Sequence, residues 1–122
     1  MTTTQIGEKG EALAALALER RGWLVVERNW RCAGGEIDII ARDGDTWVFV
    51  EVKLRGANAY GSPEEAVTAQ KAVRLLRAAE AYLIEHGLDD TAWRVDVVAI
   101  ELAASGRVRR LTLYEDAVRF DG

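Results

Sequence analysis

The 122-residue sequence predicts an α/β fold with the element order α-β-β-β-α-β-β. Three observations lead to this prediction: an alanine- and leucine-rich opening segment, runs of β-branched and aromatic residues bounded by turn residues, and a second helical segment between two groups of these runs. The length suits one hydrophobic core, and the chain contains no repeat, low-complexity tract or linker. We therefore expect a single domain over residues 1–122.

The first helix is predicted over residues 4–21, because alanine and leucine dominate there after Gly10. Gly22 follows the helix, and a glycine at this position can adopt the left-handed conformation that ends a helix. Residues 23–30 (WLVVERNW) have the composition of a strand, and residues 31–35 (RCAGG) have that of a loop.

A β-hairpin is predicted over residues 36–53. It should turn at Asp43 and Gly44, because Asp-Gly between two alternating apolar runs is a strong hairpin signal. With these two residues in the turn, Arg42 pairs with Asp45, and every further pair has the same sum of residue numbers.

This register places the polar residues of the hairpin on one face. Glu36 opposes Glu51 and Asp38 opposes Phe49, and opposed residues of an antiparallel pair point to the same side. The residues that then share a face are Glu36, Asp38, Glu51 and Lys53. The other face carries the apolar residues Ile37, Ile39, Val48, Val50 and Val52, which can anchor the hairpin in a core.

Two carboxylates one strand spacing apart, roughly 5 Å, repel each other by about 3 kcal/mol at an effective dielectric of about 20. Lys53 offsets part of this repulsion, and a divalent cation would offset more, since hard cations favour oxygen ligands. The alternative is an edge hairpin with a solvated polar face, in which water separates Asp38 from Glu51. The charge of Lys53 would then keep the edge strand from pairing with another chain. A slip of one residue in the register would remove the cluster.

The second helix is predicted to begin with Ser62 as its N-cap, Pro63 in the first helical position and Glu65 completing a capping box. It should continue to about His86, with Gly87 as its stop. Its apolar residues fall near helical spacing: Ala69, Val73, Leu76 and Leu83.

Two further strands are predicted at residues 93–100 (WRVDVVAI) and 108–115 (VRRLTLYE). A turn at Ser105 and Gly106 joins them. The chain's four tryptophans fall in or beside predicted strands, and we expect most of them to pack on the core.

The formal net charge of −4 is opposite to the basic surplus usual for proteins that bind nucleic-acid phosphates. The basic residues nevertheless gather in three places along the chain. Each cluster is either a local nucleic-acid surface or a solvated face without a partner. The clusters are Arg20, Arg21, Arg28 and Arg31; Lys71, Arg74 and Arg77; and Arg107, Arg109 and Arg110.

The chain has one cysteine, Cys32, and one histidine, His86, so these residue types supply neither an internal disulfide nor a metal cage. A metal ion would therefore bind to carboxylates. No apolar run approaches the roughly 20 residues of a membrane span, and the opening MTTTQIGEKGE lacks the basic-then-apolar plan of a signal peptide. We expect a cytoplasmic protein without membrane contact.

The order of these residues resembles a known family. Asp38, followed about a dozen residues later by Glu51-Val52-Lys53 at the end of an apolar strand, resembles the Asp…Glu-x-Lys core of the PD-(D/E)xK nuclease superfamily. Nearly the whole chain resembles the YraN-like family of predicted bacterial endonucleases, which are similar to archaeal Holliday junction resolvases.

Several motifs carry this resemblance in the same order along the chain. They are G-x-x-G-E at residues 7–11, Asn29, G-E-I-D at 35–38, F-V-E-V-K at 49–53, Gly61, Pro63, Lys71 and R-x-D-V-V at 94–98. Two residues depart from the pattern, since Ile37 stands where the superfamily has proline and Val95 where the family commonly has phenylalanine. Neither departure removes a metal ligand.

The resemblance implies a restriction-endonuclease-like core, in which helices flank a mixed central sheet. It also implies that Asp38, Glu51 and the backbone carbonyl of Val52 bind Mg²⁺ or Mn²⁺. Lys53 would orient or deprotonate the attacking water and offset charge on the phosphate. The implied reaction is hydrolysis of DNA phosphodiester bonds without a covalent intermediate.

Glu11 is the expected third acid. It heads an apolar strip of the first helix that should face the sheet, where a carboxylate is costly without a partner. The alternative is that Glu11 only gains from the helix dipole. Glu8, one turn earlier, is the poorer candidate, and Glu36 either contacts metal-bound water or is a solvated neighbour. The strip consists of Gly7, Ala14, Ala15 and Leu18.

Three residues are candidates for binding nucleic acid. In related nucleases a polar or basic residue of the second helix assists the site or holds phosphate, which points to Gln70 and Lys71. An ordinary solvated lysine is the alternative for Lys71. Arg55, which closely follows the hairpin, is the third candidate.

Some other polar and aromatic residues have predicted roles. We expect Asp96 to accept hydrogen bonds from a neighbouring loop or an arginine rather than to take part in catalysis. The helix dipole explains His86 at the end of the second helix. Trp30 and Tyr60, near loops beside the proposed site, are the aromatic candidates for stacking on a base.

These observations leave two hypotheses. The first is a metal-dependent endonuclease that cuts branched or otherwise irregular DNA in recombination or repair, as a two-fold dimer, because a symmetric junction needs two matched sites. The second is a DNA-binding or scaffold module on a nuclease fold that does not cut. The first is favoured, since a module without catalysis has no physical need to hold repelling carboxylates together.

Overall fold

A computed structural model describes residues 3–56 and 67–119, with side chains from residue 5 onwards. It confirms the predicted order α-β-β-β-α-β-β and the mixed central sheet flanked by helices. The elements are α1 (Thr3–Arg20), β1 (Leu24–Cys32), β2 (Gly35–Asp43), β3 (Thr46–Arg55), α2 (Ala69–Glu85), β4 (Trp93–Leu102) and β5 (Val108–Val118).

The five strands form one sheet in the sequential order β1-β2-β3-β4-β5. Neighbouring strands are antiparallel except β3 and β4, which run parallel. Parallel neighbours need a crossover connection, and α2 lies in the connection between these two. The helix is thereby placed against one face of the sheet.

Apolar clusters cover both faces of the sheet. The cluster on the α2 side consists of Leu75, Leu76, Ala78, Ala79, Tyr82 and Leu83 of the helix with Ile37, Ile40, Phe49, Val95, Val97 and Val118 of the sheet. The cluster on the α1 side consists of Ala14, Ala15, Leu18 and Trp23 with Ile39, Ala41, Val48, Val50, Val98 and Ile100. Neither helix in the described ranges is long and apolar enough to cross a membrane.

The turn of the β2–β3 hairpin differs from the prediction by one residue. Asp43 pairs with Thr46, so Gly44 and Asp45 form the turn, and the predicted pair of Arg42 with Asp45 is wrong. Gly44 has φ +62°, and a type II′ turn places glycine at this first central position. The shift changes each pair by two residues, an even number, so within the paired part of the hairpin, residues 39–50, the side chains keep the sides that the predicted register gave them.

The predicted start of α2 at residues 62–65 lies outside the described residues. Within the described part, Thr68 is the N-cap, and its hydroxyl oxygen accepts a hydrogen bond from the Lys71 N–H at 3.2 Å. In the described part of the chain, α2 begins at Ala69. Its end is as predicted, with His86 as the C-cap and Gly87 at φ +68°.

The buried face of α2 was predicted only in part. Leu76 and Leu83 are buried as expected, whereas Val73 is 41% exposed and Ala69 is also exposed. The buried residues of the helix are Leu75, Leu76, Ala78, Ala79, Tyr82 and Leu83. The predicted spacing was correct in period, but it put the apolar stripe partly on the solvent side.

The loop predicted at residues 31–35 is shorter than expected. Residues 31–32 continue β1 and Gly35 begins β2, so residues 33–34 alone separate the two strands. Both later strands extend beyond their predicted ends, and their connection turns where Gly106, at φ +85°, donates to the carbonyl of Ala103 at 2.9 Å.

Candidate active site

At Asp38 the side chains of β2 stop alternating regularly between the two faces of the sheet. Ile37 and Ile40 belong to the cluster on the α2 side, whereas Ile39 belongs to the cluster on the α1 side. In a regular strand residues 37 and 39 would point to the same side, so the chain twists out of register between them. The prediction that Ile37 shares a face with Ile39 is therefore wrong.

The pairing between β2 and β3 ends at the same place. The last regular pair is Ile39 with Val50, and beyond it the Asp38 carboxylate accepts a hydrogen bond from the Val52 N–H at 2.8 Å. The side chain of Asp38 thus replaces a backbone carbonyl as the partner of β3. Since the N–H groups of a strand lie near the plane of the sheet, the carboxylate is held where the two strands separate.

The predicted pairing partners of the acids are wrong. Phe49 opposes Ile40 rather than Asp38, and the regular pairing stops before it reaches Glu36 or Glu51. The turn position accounts for the first difference, and the Asp38 hydrogen bond to β3 accounts for the second.

An open cavity of about 440 Å³ lies between this end of the hairpin and the start of α2. Its polar lining consists of Glu36, Asp38 and Glu51 from the sheet and Thr68, Gln70, Lys71 and Arg74 from the helix segment. Asp38 and Glu51 thus reach the same space, although not through the predicted pairs. One wall carries acids and the opposite wall carries cations.

Glu11 reaches Asp38 from α1. Gly10, just before it, allows close approach of the helix, because a Cβ there would lie 3.0 Å from a methyl carbon of Leu54 on β3. Carboxylate oxygens of Glu11, Glu36 and Asp38 all lie within 4.8 Å of one another. The strip below Glu11 is buried as predicted, with Ala14, Ala15 and Leu18 against the sheet. Glu8 is exposed and lies away from this group.

The electrostatics of Asp38 reflect this crowding of acids. Burial raises the pKa of Asp38 to about 7, with further increases from Glu51, Glu11 and Glu36 that the Val52 hydrogen bond only partly opposes. Carboxylates held this close are costly without a cation between them. Their oxygens are the ligands that Mg²⁺ and Mn²⁺ prefer, so the donor set fits a hard divalent cation.

Glu51 is buried and paired with two lysines. Its Oε1 lies 2.7 Å from the Nζ of Lys71 and 3.5 Å from the Nζ of Lys53. Burial and the neighbouring Lys71 lower the pKa of Lys53. Burial also acts to lower the pKa of Lys71, but its hydrogen bonds with Glu51 and Lys53 outweigh burial and raise it. Lys71 is therefore bound to a buried carboxylate rather than solvated without a partner.

The other candidates for binding nucleic acid lie in different places. Gln70 is exposed and lines the cavity beside Lys71. Arg55 is the last residue of β3, where it pairs with Glu101 of β4, and it does not line this cavity.

Asp96 has the structural role that the sequence predicted. It is fully buried, and it accepts hydrogen bonds from Arg94 Nε at 3.1 Å and from the Asp116 N–H at 2.8 Å. Burial raises the pKa of Asp96, while the Asp116 hydrogen bond and the Arg94 guanidinium oppose that increase. Asp96 thus ties β4 to β5 away from the acidic cavity.

The aromatic residues pack on the core. Trp30 is half-buried and meets Tyr82 edge to face with ring centroids 5.2 Å apart, so it packs on the core, and its candidacy for base stacking stays a prediction. Tyr60 lies outside the described residues. At the end of α2 the His86 ring stacks on Tyr82, and its Nδ1 lies 2.8 Å from the Tyr82 carbonyl oxygen.

Among the polar residues that line the cavity, Thr68 was not a candidate from the sequence. Arg74 was expected only as a member of the basic cluster of Lys71, Arg74 and Arg77, and its position three residues after Lys71 places it on the same side of the helix. The capping signal at residues 62–65 is stronger than the one at Thr68, so the N-cap was predicted there instead.

The fold and the cavity together define an α/β protein with an acidic site at the end of its central sheet. A family model described as "Uncharacterised protein family UPF0102" matches residues 10–100 of the chain. The chain belongs to this family, which is the YraN-like family that the sequence motifs indicated.

Curated relatives extend over most of the chain. A UPF0102 protein of Beutenbergia cavernae is 51% identical over 104 residues, covering 85% of this chain and 88% of the relative. A UPF0102 protein of Geobacter sulfurreducens is 46% identical over 109 residues, covering 88% and 85%. One of Moorella thermoacetica is 42% identical over 117 residues, covering 96% and 98%.

Proposed function

We propose that this protein is a metal-dependent endonuclease that hydrolyses phosphodiester bonds of DNA. The observation that carries the proposal is the group of Glu11, Glu36 and Asp38, whose carboxylate oxygens lie within 4.8 Å of one another. Lys71 and Arg74 line the opposite wall of the cavity that Asp38 and Glu36 enter. A divalent cation suits the first wall and a phosphate suits the second. The resemblance to the PD-(D/E)xK superfamily supports the same conclusion.

The proposed ligands of Mg²⁺ or Mn²⁺ are Asp38, Glu11, Glu51 and the backbone carbonyl of Val52. Carboxylate and carbonyl oxygens are the ligands that these ions prefer. When bound, the ion would polarise the scissile phosphate and lower the pKa of the attacking water. Asp38 contributes a fixed carboxylate, because its hydrogen bond to the Val52 N–H restrains the side chain.

The two lysines have different proposed roles. Burial and the neighbouring Lys71 lower the pKa of Lys53, so it releases its proton more easily, and its amine, once neutral, can accept the proton of the attacking water. The water oxygen then bonds to phosphorus, the bond from phosphorus to the sugar oxygen breaks, and that oxygen takes up a proton from solvent water. Lys71, with its raised pKa, keeps its charge and offsets the negative charge that builds on the phosphate.

Branched DNA is the proposed substrate and a two-fold dimer the proposed assembly, because a symmetric junction needs two matched sites. Light scattering on the purified protein tests the assembly. A dimer across the micromolar range supports it, and a monomer throughout that range contradicts it.

Calorimetric titration with Mn²⁺ tests the metal site. Wild type should bind the ion, and Asp38→Asn should lose that binding. Asp89→Asn is the matched control, since Asp89 is an exposed acid outside the cavity and its substitution makes the same change of charge. Undiminished binding by Asp38→Asn would remove the metal from this site.

Cleavage of junction, flap and single-stranded DNA tests the reaction. Lys53→Ala should abolish cutting while DNA affinity survives, because the loss is in proton transfer and not in binding. If wild type cuts none of these substrates with either metal ion, the binding-module hypothesis replaces this one.

A further inference from the structure

We propose that a basic ridge on α2, formed by half-buried Lys71 and exposed Arg74 and Arg77, binds the sugar–phosphate backbone of one DNA strand and leads it into the acidic cavity. The inference rests on the proposed function and adds the path by which the substrate reaches the site. It assigns a binding role to Arg74 and Arg77 in particular.

Arg74 occupies the junction of two cavities. It lines the acidic cavity and also a second open cavity of about 620 Å³. The two open cavities share Gly35, Glu36 and Arg74, so they adjoin beside the helix. Arg31 and the turn at residues 33–34 line the second cavity. A strand lying in this channel of two adjoining cavities would pass Arg74 on its way to Asp38.

The ridge arginines are available to bind an anion. Arg74 and Arg77 are exposed, and neither makes an ion pair with another residue in the described part of the chain. Arg31, at the other end of the channel, is by contrast 3.5 Å from Glu36. Acidic residues outnumber basic ones by 20 to 16 in the whole chain, so binding of a polyanion depends on local surfaces such as this one.

The spacing of the ridge suits a run of phosphates. Positions 71, 74 and 77 are three residues apart, which places them along one ridge of the helix. Successive members are separated by about 4.5 Å along the helix axis, so neighbouring side chains are close enough to contact neighbouring phosphates of one strand. Long arginine side chains can adjust their reach, and the guanidinium group can hold two phosphate oxygens at once.

The ridge also lies next to the proposed metal site. Lys71 bonds to Glu51 at 2.7 Å at the end of the ridge that meets the cavity. A phosphate held by Arg74 would therefore be a neighbour of the phosphate at the metal site. The alternative, a solvated helix face without a partner, predicts no selective effect of these arginines on DNA binding.

The experiment is fluorescence anisotropy of labelled single-stranded and junction DNA in EDTA, where no cleavage takes place. Arg74→Ala and Arg77→Ala should each weaken binding by about fivefold and reduce the salt dependence by roughly one counterion per lost phosphate contact. Lys9→Ala is the control for total charge, because Lys9 is an exposed lysine of α1 that belongs to none of the three basic clusters. It should bind like wild type, and Arg74→Lys should recover most of the affinity.

Equal losses in Arg74→Ala and Lys9→Ala would overturn the proposal, since only total charge would then matter. No loss in Arg74→Ala, or no DNA binding by wild type, would overturn it as well. The failure of the nuclease proposal has a different signature. In that case wild type neither binds Mn²⁺ nor cuts DNA, while Arg74→Ala still selectively weakens DNA binding. That result would support the binding role of the ridge and contradict the nuclease proposal.

Discussion

Asn29 on β1 lies opposite Asp38 on β2, at the point where the alternation of β2 breaks. The regular pairs on either side of them are Arg28 with Ile39 and Trp30 with Ile37. Asn29 has φ +55°, a left-handed conformation that is uncommon for residues other than glycine and that asparagine tolerates better than most. Two distortions at facing positions indicate one local deformation, which carries Asp38 out of the regular pattern and towards β3.

Substitution of Asn29 should therefore affect metal binding through the backbone. Asn29→Gly should bind Mn²⁺ like wild type, because glycine adopts a positive φ without strain. Asn29→Val should weaken Mn²⁺ binding about tenfold and lower the free energy of unfolding by about 1–2 kcal/mol, because a β-branched residue strongly disfavours this conformation. Calorimetry and denaturant unfolding measure the two quantities. Loss of binding in Asn29→Gly would assign the effect to the asparagine side chain instead.

The stability of the metal-free protein should depend on Asp38 and on pH. The pKa of Asp38 is raised in the folded state from 3.8 to about 7, so folding favours the protonated carboxyl. Its stabilising contribution is fully present below about pH 4 and is lost as the pH rises through about 7. The melting temperature in EDTA should fall over this interval, and Asp38→Asn should remove much of the fall. Asp89→Asn should retain the wild-type profile, and an unchanged profile in Asp38→Asn would contradict the prediction.

Mn²⁺ affinity should change in the opposite direction over the same pH interval. The ion requires the ionised carboxylate, so its binding should strengthen as the pH rises towards about 7 and then level off. Titrations at several pH values measure this. Affinity that is constant between about pH 5 and 8 would show that Asp38 does not control the metal site.

Lys71→Met should destabilise the metal-free protein by about 1–2 kcal/mol, because buried Glu51 would keep Lys53 as its lysine partner and lose the 2.7 Å contact. The expected loss of stability is modest because the Lys71 side chain is 40% exposed. Saturating Mn²⁺ should reduce the difference, since the ion supplies positive charge near Glu51. Lys9→Met, at an exposed lysine of α1, is the control, and an equal loss there would remove the assigned role of the Glu51 contact.

Much of the fold could be predicted because its signals are local. The helix and strand order follows from periodicity and turn residues, and the faces of the paired hairpin residues 39–50 were predicted correctly despite the error in the turn, because the shift was even. Glu11 could be placed because the strip of α1 below it already indicated which side faces the sheet. Asp96 could be assigned because a buried carboxylate requires hydrogen-bond donors.

The remaining features depend on contacts between distant segments. Nothing in the composition of β1 indicates that Asn29 has a positive φ, and the twist that separates Ile37 from Ile39 could not be inferred without it. Lys71 was ambiguous because its partner Glu51 belongs to β3, and the packing of α2 on the sheet decides which helix residue meets that carboxylate.

The N-cap of α2 should stabilise both the fold and the site. Thr68 accepts the Lys71 N–H at 3.2 Å, so Thr68→Ala should lower the free energy of unfolding by about 1 kcal/mol, and Thr68→Ser should restore it. The capped turn also positions the Lys71 side chain that meets Glu51. In a double-mutant cycle the losses from Thr68→Ala and Lys71→Met should therefore sum to more than the loss in the double variant, because fraying of the first turn already weakens the ion pair. Strict additivity in denaturant unfolding would show that the cap and the lysine act independently.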